Sequence, residues 1–154
     1  MLSPHRPSLT EYFTSMLALV ASRASCRRRQ VGAILVDEKG RVLSTGYNGP
    51  PRNVPHCSDD VPCPGAYDEP GDTRRCMAVH AEINAIVQCA RLDLAHTLYC
   101  SNAPCFECAK VVANTPIRQV IVLGDYADIR GVEVLSMAGI LVWRKLPDGT
   151  LDPL

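Results

Sequence analysis

Two short motifs, separated by one helix–strand unit, constrain the fold of this chain more than any other feature. The first reads HAE over residues 80–82, and the second reads PCFEC over residues 104–108. The proline favours the first turn of a helix, where its missing N–H costs nothing. His80 and Glu82 can serve one site only from the first turn of a helix, because positions i and i+2 point about 200° apart. The chain must therefore bring two helix starts to one site.

The residue types in these motifs are those of a catalytic zinc site. Two thiolates of a Cys-x-x-Cys pair can share one ion, and the positive end of a helix favours ionised sulfur. His80 would add a neutral third ligand, and three protein ligands leave one position open for water. Because two thiolates offset the metal charge, that water needs a nearby base, and Glu82 is the candidate. We therefore expect zinc at His80, Cys105 and Cys108, with Glu82 as the proton carrier.

Each motif taken alone fits more than one kind of site. An isolated Cys-x-x-Cys pair is often half of a structural zinc site or a redox pair, and an isolated His-x-Glu is almost uninformative. In this order they match the signature of zinc nucleobase deaminases, in which activated water attacks the carbon that bears the exocyclic amine. Glu82 would take the water proton and deliver it to the ring nitrogen and then to the leaving ammonia. A non-catalytic zinc interaction module is the alternative, although a structural site has no use for Glu82.

The local patterns predict an α/β domain. Residues 8–11 form a capping box ahead of an amphipathic helix that runs to about residue 25. Turn residues 37–40 join two strands, 31–36 and 41–47, into a hairpin. The later segments are interpreted as helices at 80–91, 104–114 and 128–138 and as strands at 97–100, 119–123 and 140–143. This order predicts a mixed five-stranded sheet with helices on both faces.

Three further expectations concern the connections and the end of this single domain, residues 1–154. In the helix at 80–91, the residues expected to face the core are Ile83, Ile86, Val87 and Ala90. The last ten residues are expected to be frayed or to meet a partner subunit. Residues 48–78 are rich in Pro, Gly, Asp and Cys, and a loop of this length is usually functional or disordered. The cysteines of this loop indicate that it is tied down.

Composition narrows the classes of function. The chain has 16 Lys and Arg against 16 Asp and Glu, so it lacks the basic footprint of polynucleotide-binding proteins, and a tRNA-editing adenosine deaminase is disfavoured. It shows no long apolar run and no signal-peptide pattern. We therefore expect a cytoplasmic protein (in the host cytoplasm if its source is a phage) with no membrane partner. Thiols stay reduced there, so the 8 cysteines suggest metal ligands more than disulfides.

Four stretches of the chain resemble the deoxycytidylate (dCMP) deaminases of bacteria and phages. They are CRRRQVGA at 26–33, GYNG at 46–49, CMAVHAEINAI at 76–86 and APCFECAK at 103–110. The similarity covers about residues 8–144, and GYNG with the Cys-rich insertion narrows it to the dCMP branch. The resemblance implies a three-layer, cytidine-deaminase-like fold. It also implies hydrolysis of dCMP to dUMP and ammonia, which supplies dUMP for thymidylate synthesis.

The same resemblance implies partners and regulation. Members usually form hexamers, and many are activated by dCTP and inhibited by dTTP at a subunit interface near the GYNG loop. Mg²⁺ is expected to accompany such a triphosphate effector. The alternative substrates are cytidine, free cytosine, guanine or a riboflavin precursor, because the same metal site serves them all.

The resemblance also assigns residues that contact the substrate. Asn48 would hold the deoxyribose, although Asn-Gly is also a common turn pair. Arg28 would bind the phosphate, although it lies in the basic run 27–29, which is otherwise a solvated surface. Tyr126, which follows the fourth strand, would line the nucleotide pocket or simply pack at the strand end. The remaining predicted substrate contacts are Asn84 near the phosphate, Ala81 and Ala103.

A second group of cysteines lies outside the two motifs. Phage and bacterial relatives often carry a second, structural zinc in this region, with Cys and His ligands. Here the resemblance points to Cys26, Cys57, Cys63 and Cys76, with His56 as a possible substitute. Four such ligands would close a tetrahedral site with no open position. A set of free thiols is the alternative.

Overall fold

A six-stranded mixed sheet forms the middle of the structure, a computed structural model that describes residues 6–69, 72–124 and 128–154. Its strands are β1 (Gly32–Asp37), β2 (Val42–Tyr47), β3 (Ala95–Asn102), β4 (Gln119–Gly124), β5 (Leu141–Lys145) and β6 (Leu151–Pro153). The order across the sheet is β2-β1-β3-β4-β5-β6. β3, β4 and β5 are parallel, whereas β1 and β2 form the antiparallel hairpin that the sequence predicted.

Helices cover both faces of this sheet, as expected. They are α1 (Leu9–Ala21), α2 (Ala81–Val87), α3 (Phe106–Ala113) and α4 (Arg130–Met137). α1 packs on one face, where Phe13 and Leu17 contact Ile34 and Tyr99. α2, α3 and α4 bury small and branched side chains against the opposite face, and the members of that core include Ala85, Val112, Leu135, Leu98 and Val120. The three-layer arrangement is therefore confirmed.

The predicted capping box at the start of α1 is confirmed. The Ser8 hydroxyl accepts the Glu11 N–H at 3.2 Å, and the Glu11 carboxylate accepts the Ser8 N–H at 2.7 Å. Two otherwise unpaired donors are satisfied in this way, which fixes the first turn. The helix ends at Ala21 rather than near residue 25, because the chain turns there and the Ala24 N–H donates to the Ala21 carbonyl.

The sixth strand corrects two expectations, that the sheet has five strands and that the last ten residues are frayed. β6 pairs antiparallel with β5. A tight turn returns the chain, because the Asp148 carboxylate accepts both the backbone N–H and the hydroxyl of Thr150, and Gly149 adopts a φ of 90°. Asp-Gly is a strong hairpin signal, so this strand was within reach of the sequence.

The inner face of α2 differs from the prediction. The buried residues are Ala81, Glu82 and Ala85, whereas Val87 is 75% exposed and Ala90 is also exposed. The expected Ile83 and Ile86 are only half-buried. The reason is a very close approach to β2: a Cβ on Gly46 would overlap the Ala81 carbonyl oxygen and the Ala85 nitrogen. Only small side chains fit there.

A backbone bridge joins the two ends of the long loop that precedes α2. Gly49 and Val79 exchange backbone hydrogen bonds, with N–H to O distances of 3.2 and 2.7 Å. The described parts of the loop contain no helix and no named strand. The bridge brings residue 80 to the end of β2, so the loop delivers the first motif to the sheet.

None of the helices in the described ranges is long and apolar enough to cross a membrane.

Candidate metal centre

The three predicted zinc ligands lie together. The Nδ1 atom of His80 is 3.4 Å from the Cys105 Sγ and 3.3 Å from the Cys108 Sγ, and all three ligand atoms lie within 4.8 Å of one another. In a tetrahedral zinc site, Zn–N and Zn–S bonds of the usual lengths place neighbouring ligand atoms about 3.5 Å apart. The donor types and their spacing therefore fit a zinc ion. No other group of three ligand-type side chains reaches this spacing in the part of the chain that is described.

Helix starts position these ligands. His80 is the N-cap of α2 and Cys105 is the N-cap of α3, both with extended backbone, and Cys108 lies in the first turn of α3. The Cys105 Sγ also accepts the Cys108 N–H at 3.5 Å. The positive ends of the two helices therefore lie at the same site, which stabilises thiolates there.

Glu82 adds a buried carboxyl group to this site. It is 4% exposed in the first turn of α2. Burial raises the pKa of the Glu82 carboxyl, and the nearby His80 partly opposes that shift. A carboxyl group held in this way can bind and release a proton closer to neutral pH than a solvated one.

The two thiols differ in their ionisation. A hydrogen bond from Cys108, followed by burial in the opposite direction and by a hydrogen bond from His80, lowers the pKa of Cys105 to about 4. The same bond to Cys105, with burial, raises the pKa of Cys108. The bond to Cys105 raises the pKa of His80. A metal ion must displace the protons shared in this group, so metal binding releases protons.

The predicted deoxyribose contact, Asn48, is buried and bonded to the backbone. Its Oδ1 accepts the Val31 N–H and its Nδ2 donates to the Arg29 carbonyl, both at 2.8 Å. The amide thus ties the start of the loop to the segment that enters β1.

The two residues predicted near the phosphate also bond backbone atoms. Asn84 donates to the Tyr47 carbonyl at 2.8 Å. The Arg28 guanidinium donates to three carbonyl oxygens of the loop, those of Gly65, Glu69 and Asp72, at 3.1, 2.8 and 2.7 Å. Of the other predicted substrate contacts, Ala81 and Ala103 are buried, and Tyr126 lies outside the described residues.

The second cysteine cluster is only partly assembled. Cys26, Cys57 and Cys63 line one small depression beside Gly49, and the Cys63 N–H donates to the Cys57 Sγ at 3.2 Å. Cys76 is not part of that lining. The substitute ligand His56 places its Nδ1 2.8 Å from the Ser25 hydroxyl.

Sequence reasoning missed the contacts that seat the two helix starts. Gly46 lies against Ala81, next to His80, and Gly131 lies against Pro104, next to Cys105. An isolated Gly inside a strand or helix pattern often marks a close backbone approach. That signal was available in the sequence, but it does not say which segment approaches.

Comparison with known proteins agrees with this geometry. A family model described as the cytidine and deoxycytidylate deaminase zinc-binding region matches residues 7–124. The chain is 39% identical over 143 residues to the deoxycytidylate deaminase of Saccharomyces cerevisiae, covering 89% of this chain and 45% of that protein. It is 39% identical over 122 residues to the deoxycytidylate deaminase of Mycobacterium phage D29, covering 75% of this chain and 94% of that protein. The chain thus spans less than half of the yeast relative and nearly all of the phage relative.

Solved structures extend the likeness to the fold. The dCMP deaminase of cyanophage S-TIM5, solved in complex with dCMP and dUMP, superimposes with a TM-score of 0.73 at 26% identity and covers 91% of this chain and 98% of that chain. A diaminohydroxyphosphoribosylaminopyrimidine deaminase/reductase of Thermotoga maritima has a TM-score of 0.62 at 22% identity over 88% of this chain and 36% of that chain. The second likeness concerns the fold alone.

Proposed function

The chain belongs to the cytidine and deoxycytidylate deaminase family, and from that premise we propose that it hydrolyses dCMP to dUMP and ammonia. The observation that carries the proposal is the meeting of three zinc-ligand atoms beside the buried carboxyl group of Glu82. The substrate is supported by the relatives. The phage D29 protein, whose length the chain nearly spans, is a deoxycytidylate deaminase, and the cyanophage enzyme was solved with dCMP and dUMP.

The residues divide the chemistry between them. His80, Cys105 and Cys108 would hold zinc, which when bound supplies a Lewis acid and makes hydroxide available near neutral pH. Glu82 would take the proton of the attacking water on its carboxylate. It would pass protons to the ring nitrogen and then to the departing amine, so that water and dCMP become dUMP and ammonia. The raised pKa of the Glu82 carboxyl suits both halves of this transfer.

Removal and return of the metal test this proposal. The wild-type protein should form dUMP and ammonia in equal amounts from dCMP, lose this activity on dialysis against a chelator, and regain it with Zn²⁺. Activity that survives complete removal of zinc would reject the proposed site. A zinc-loaded protein that releases no ammonia from any substrate would favour the non-catalytic interaction module.

The same site suits other small substrates, namely cytidine, cytosine, guanine or a riboflavin precursor. The Thermotoga maritima deaminase/reductase shares the fold at 22% identity, below the 26% of the cyanophage dCMP deaminase, and that likeness concerns the fold alone. Asn48, Ala81, Ala103 and Tyr126 stay proposed as contacts for the nucleotide. For Arg28 and Asn84, the hydrogen bonds to backbone carbonyls favour a structural role over the phosphate contact.

A second, structural zinc at Cys26, Cys57, Cys63 and Cys76 is also proposed. The shared depression lined by the first three, and the N–H donated to the Cys57 Sγ, support it. His56 could replace one thiolate. Such an ion would have to draw the four thiolates together, and its binding free energy would add directly to folding.

Regulation by dCTP and dTTP, with Mg²⁺, and assembly into a hexamer are proposed on the family resemblance. An open depression lined by residues 24–30 and Cys57 supports an anionic effector, because the exposed Arg29 borders it and the Asn48 side chain of the GYNG loop bonds the Arg29 carbonyl. Rates measured with each triphosphate, together with the mass in solution, test both proposals. A cytoplasmic location stays a proposal.

A further inference from the structure

The start of α4 contacts the backbone on both sides of the ligand Cys105. Gly131, which is buried, lies so close to Pro104 that a Cβ on it would overlap the Pro104 carbonyl oxygen. The same Cβ position is 3.1 Å from the carbonyl carbon and 3.2 Å from the carbonyl oxygen of Cys105. No side chain larger than hydrogen fits between α4 and this peptide.

A second contact holds the residue that follows the ligand. The Arg130 guanidinium carbon lies 4.8 Å from the centre of the Phe106 ring. Its direction is fixed by Asp128, whose carboxylate accepts from the Arg130 Nε at 2.9 Å and from Nη2 at 2.6 Å. Lys110 also lies over the Phe106 ring, at 4.7 Å. The negative face of an aromatic ring attracts a cation placed above it, so both side chains help to hold the Phe106 ring.

The orientation of the Cys105 sulfur depends on how the segment 103–105 is held. The Ala103 N–H donates to the Gly124 carbonyl at 2.8 Å, which fixes the segment to β4 on one side. The Cys105 carbonyl accepts the Ala109 N–H at 2.9 Å and so begins the hydrogen bonding of α3. A shift of the 104–105 peptide would therefore move the Cys105 Sγ relative to the His80 Nδ1.

We propose that the start of α4 is a brace for the metal site, in which Gly131 and Arg130 are positioning residues that hold Cys105 in register with His80 and Cys108. The inference rests on the proposed zinc site and extends it to an element that carries no ligand. Gly46 has the matching position beside Ala81 in the other motif. Each ligand-bearing helix start is thus seated against a glycine.

Two variants and two matched controls test the brace. Gly131→Ala inserts a methyl group against the Pro104 carbonyl, and Arg130→Ala removes the ring contact without adding bulk. Leu135→Ala is the control for the first, because Leu135 is fully buried on the same helix. Arg91→Ala is the control for the second, because Arg91 pairs with Asp93 as Arg130 pairs with Asp128.

Zinc affinity by chelator competition and the thiolate-to-metal absorption of the Co²⁺-loaded protein are the readouts, with melting temperature measured in parallel. Substitution of a residue that supports a metal ligand typically lowers metal affinity about 10- to 100-fold. We expect a loss of zinc affinity in that range for Gly131→Ala and a smaller loss for Arg130→Ala. Both should shift the Co²⁺ absorption and lower kcat for dCMP more than they raise KM. The controls should keep wild-type zinc affinity, even where melting temperature falls further.

The brace would be overturned if zinc affinity fell in proportion to melting temperature in the variants and in the controls alike. If Gly131→Ala fails to fold, Arg130→Ala decides alone, and unchanged zinc affinity and Co²⁺ absorption in it would also overturn the proposal. Failure of the proposed function is a separate result. In that case the wild-type protein itself would not bind zinc tightly or would not deaminate dCMP.

Discussion

Glu82 is an ionisable side chain buried beside three metal-ligand atoms, and no salt bridge to a Lys or Arg of the described residues accompanies its burial. Burial of a carboxyl group without such a partner costs free energy, so the position is explained better by chemistry than by stability. Glu107 offers a contrast on the second motif: it lies between the two ligand cysteines, yet its side chain is 75% exposed and pairs with Lys110.

Glu82→Gln should retain zinc and the fold, because the amide is nearly isosteric and Glu82 is not a ligand. Turnover of dCMP should fall about 10²- to 10⁴-fold, the usual contribution of a positioned acid–base group. Glu107→Gln is the control and should keep near-normal turnover. Measurement of kcat and zinc content on both variants checks this, and near-normal activity of Glu82→Gln would remove the proposed proton carrier.

A substitution at Arg28 distinguishes a role in holding the long loop from a role in binding the phosphate, which the sequence alone could not do. Its three carbonyl partners lie in the long loop, so Arg28→Ala should lower melting temperature and reduce kcat/KM for dCMP and for deoxycytidine by a similar factor. A phosphate ligand would instead affect dCMP alone. Arg29→Ala, an exposed neighbour in the same run, is the control. A selective loss for dCMP in Arg28→Ala would restore the phosphate role.

At the scale of elements, Asp37 organises the turn between β1 and β2. Its carboxylate accepts the backbone N–H groups of Arg41 and Lys39 and the Arg41 Nε. These bonds, the Arg41 backbone first, lower the pKa of Asp37 from 3.8. The stability that Asp37 contributes is therefore present above the unfolded pKa and is lost as pH falls through the lower, folded value.

Asp37→Asn should accordingly lower melting temperature at pH 7, and its difference from the wild type should shrink as pH drops below about 4. Glu38→Gln, an exposed change in the same turn, should leave melting temperature nearly unchanged. Thermal melts from pH 3 to 7 check the prediction, and an equal difference at both ends of that range would contradict it.

The long loop carries the prediction about the second metal. We expect two zinc ions per wild-type chain and about one in Cys57→Ser, with faster hydrogen exchange in the loop, because structural zinc contributes directly to folding. Cys89→Ser, which alters a thiol outside both clusters, should keep both ions. Elemental analysis of both proteins checks this prediction. One zinc ion per chain in the wild type, and the same number in Cys57→Ser, would show that the four cysteines of the cluster are free thiols.

Elements with local signals were predictable from the sequence, and those set by distant contacts were not. The capping box and the proline at 104 placed the starts of α1 and α3 within two residues. The prediction for the inner face of α2 was wrong, because periodicity carries no information about the close approach of this helix to Gly46 of β2. The partners of Arg28 lie 37 to 44 residues away along the chain, beyond any local pattern.

At the scale of the molecule, the direction of the strands brings the residues of the metal site to one edge of the sheet. β2, β3, β4 and β5 run the same way, because β1 is antiparallel to both β2 and β3. Their carboxyl ends therefore share one edge, the usual place for ligands in open α/β sheets. α3 and α4 start there, and the bridge between Gly49 and Val79 returns His80 to the same edge. The family could be predicted from the motifs, whereas this convergence required the topology.

The ratio of kcat/KM for dCMP to that for deoxycytidine, measured with the zinc-loaded wild-type protein, tests the central claim most directly. We predict that dCMP exceeds deoxycytidine by about 30-fold or more, because a nucleotide-specific site must contact the 5′-phosphate, and loss of one partner of such a charge contact costs about 2–5 kcal/mol. Equal values for the two substrates would contradict the assignment as a dCMP deaminase and would favour a deaminase of nucleosides or free bases.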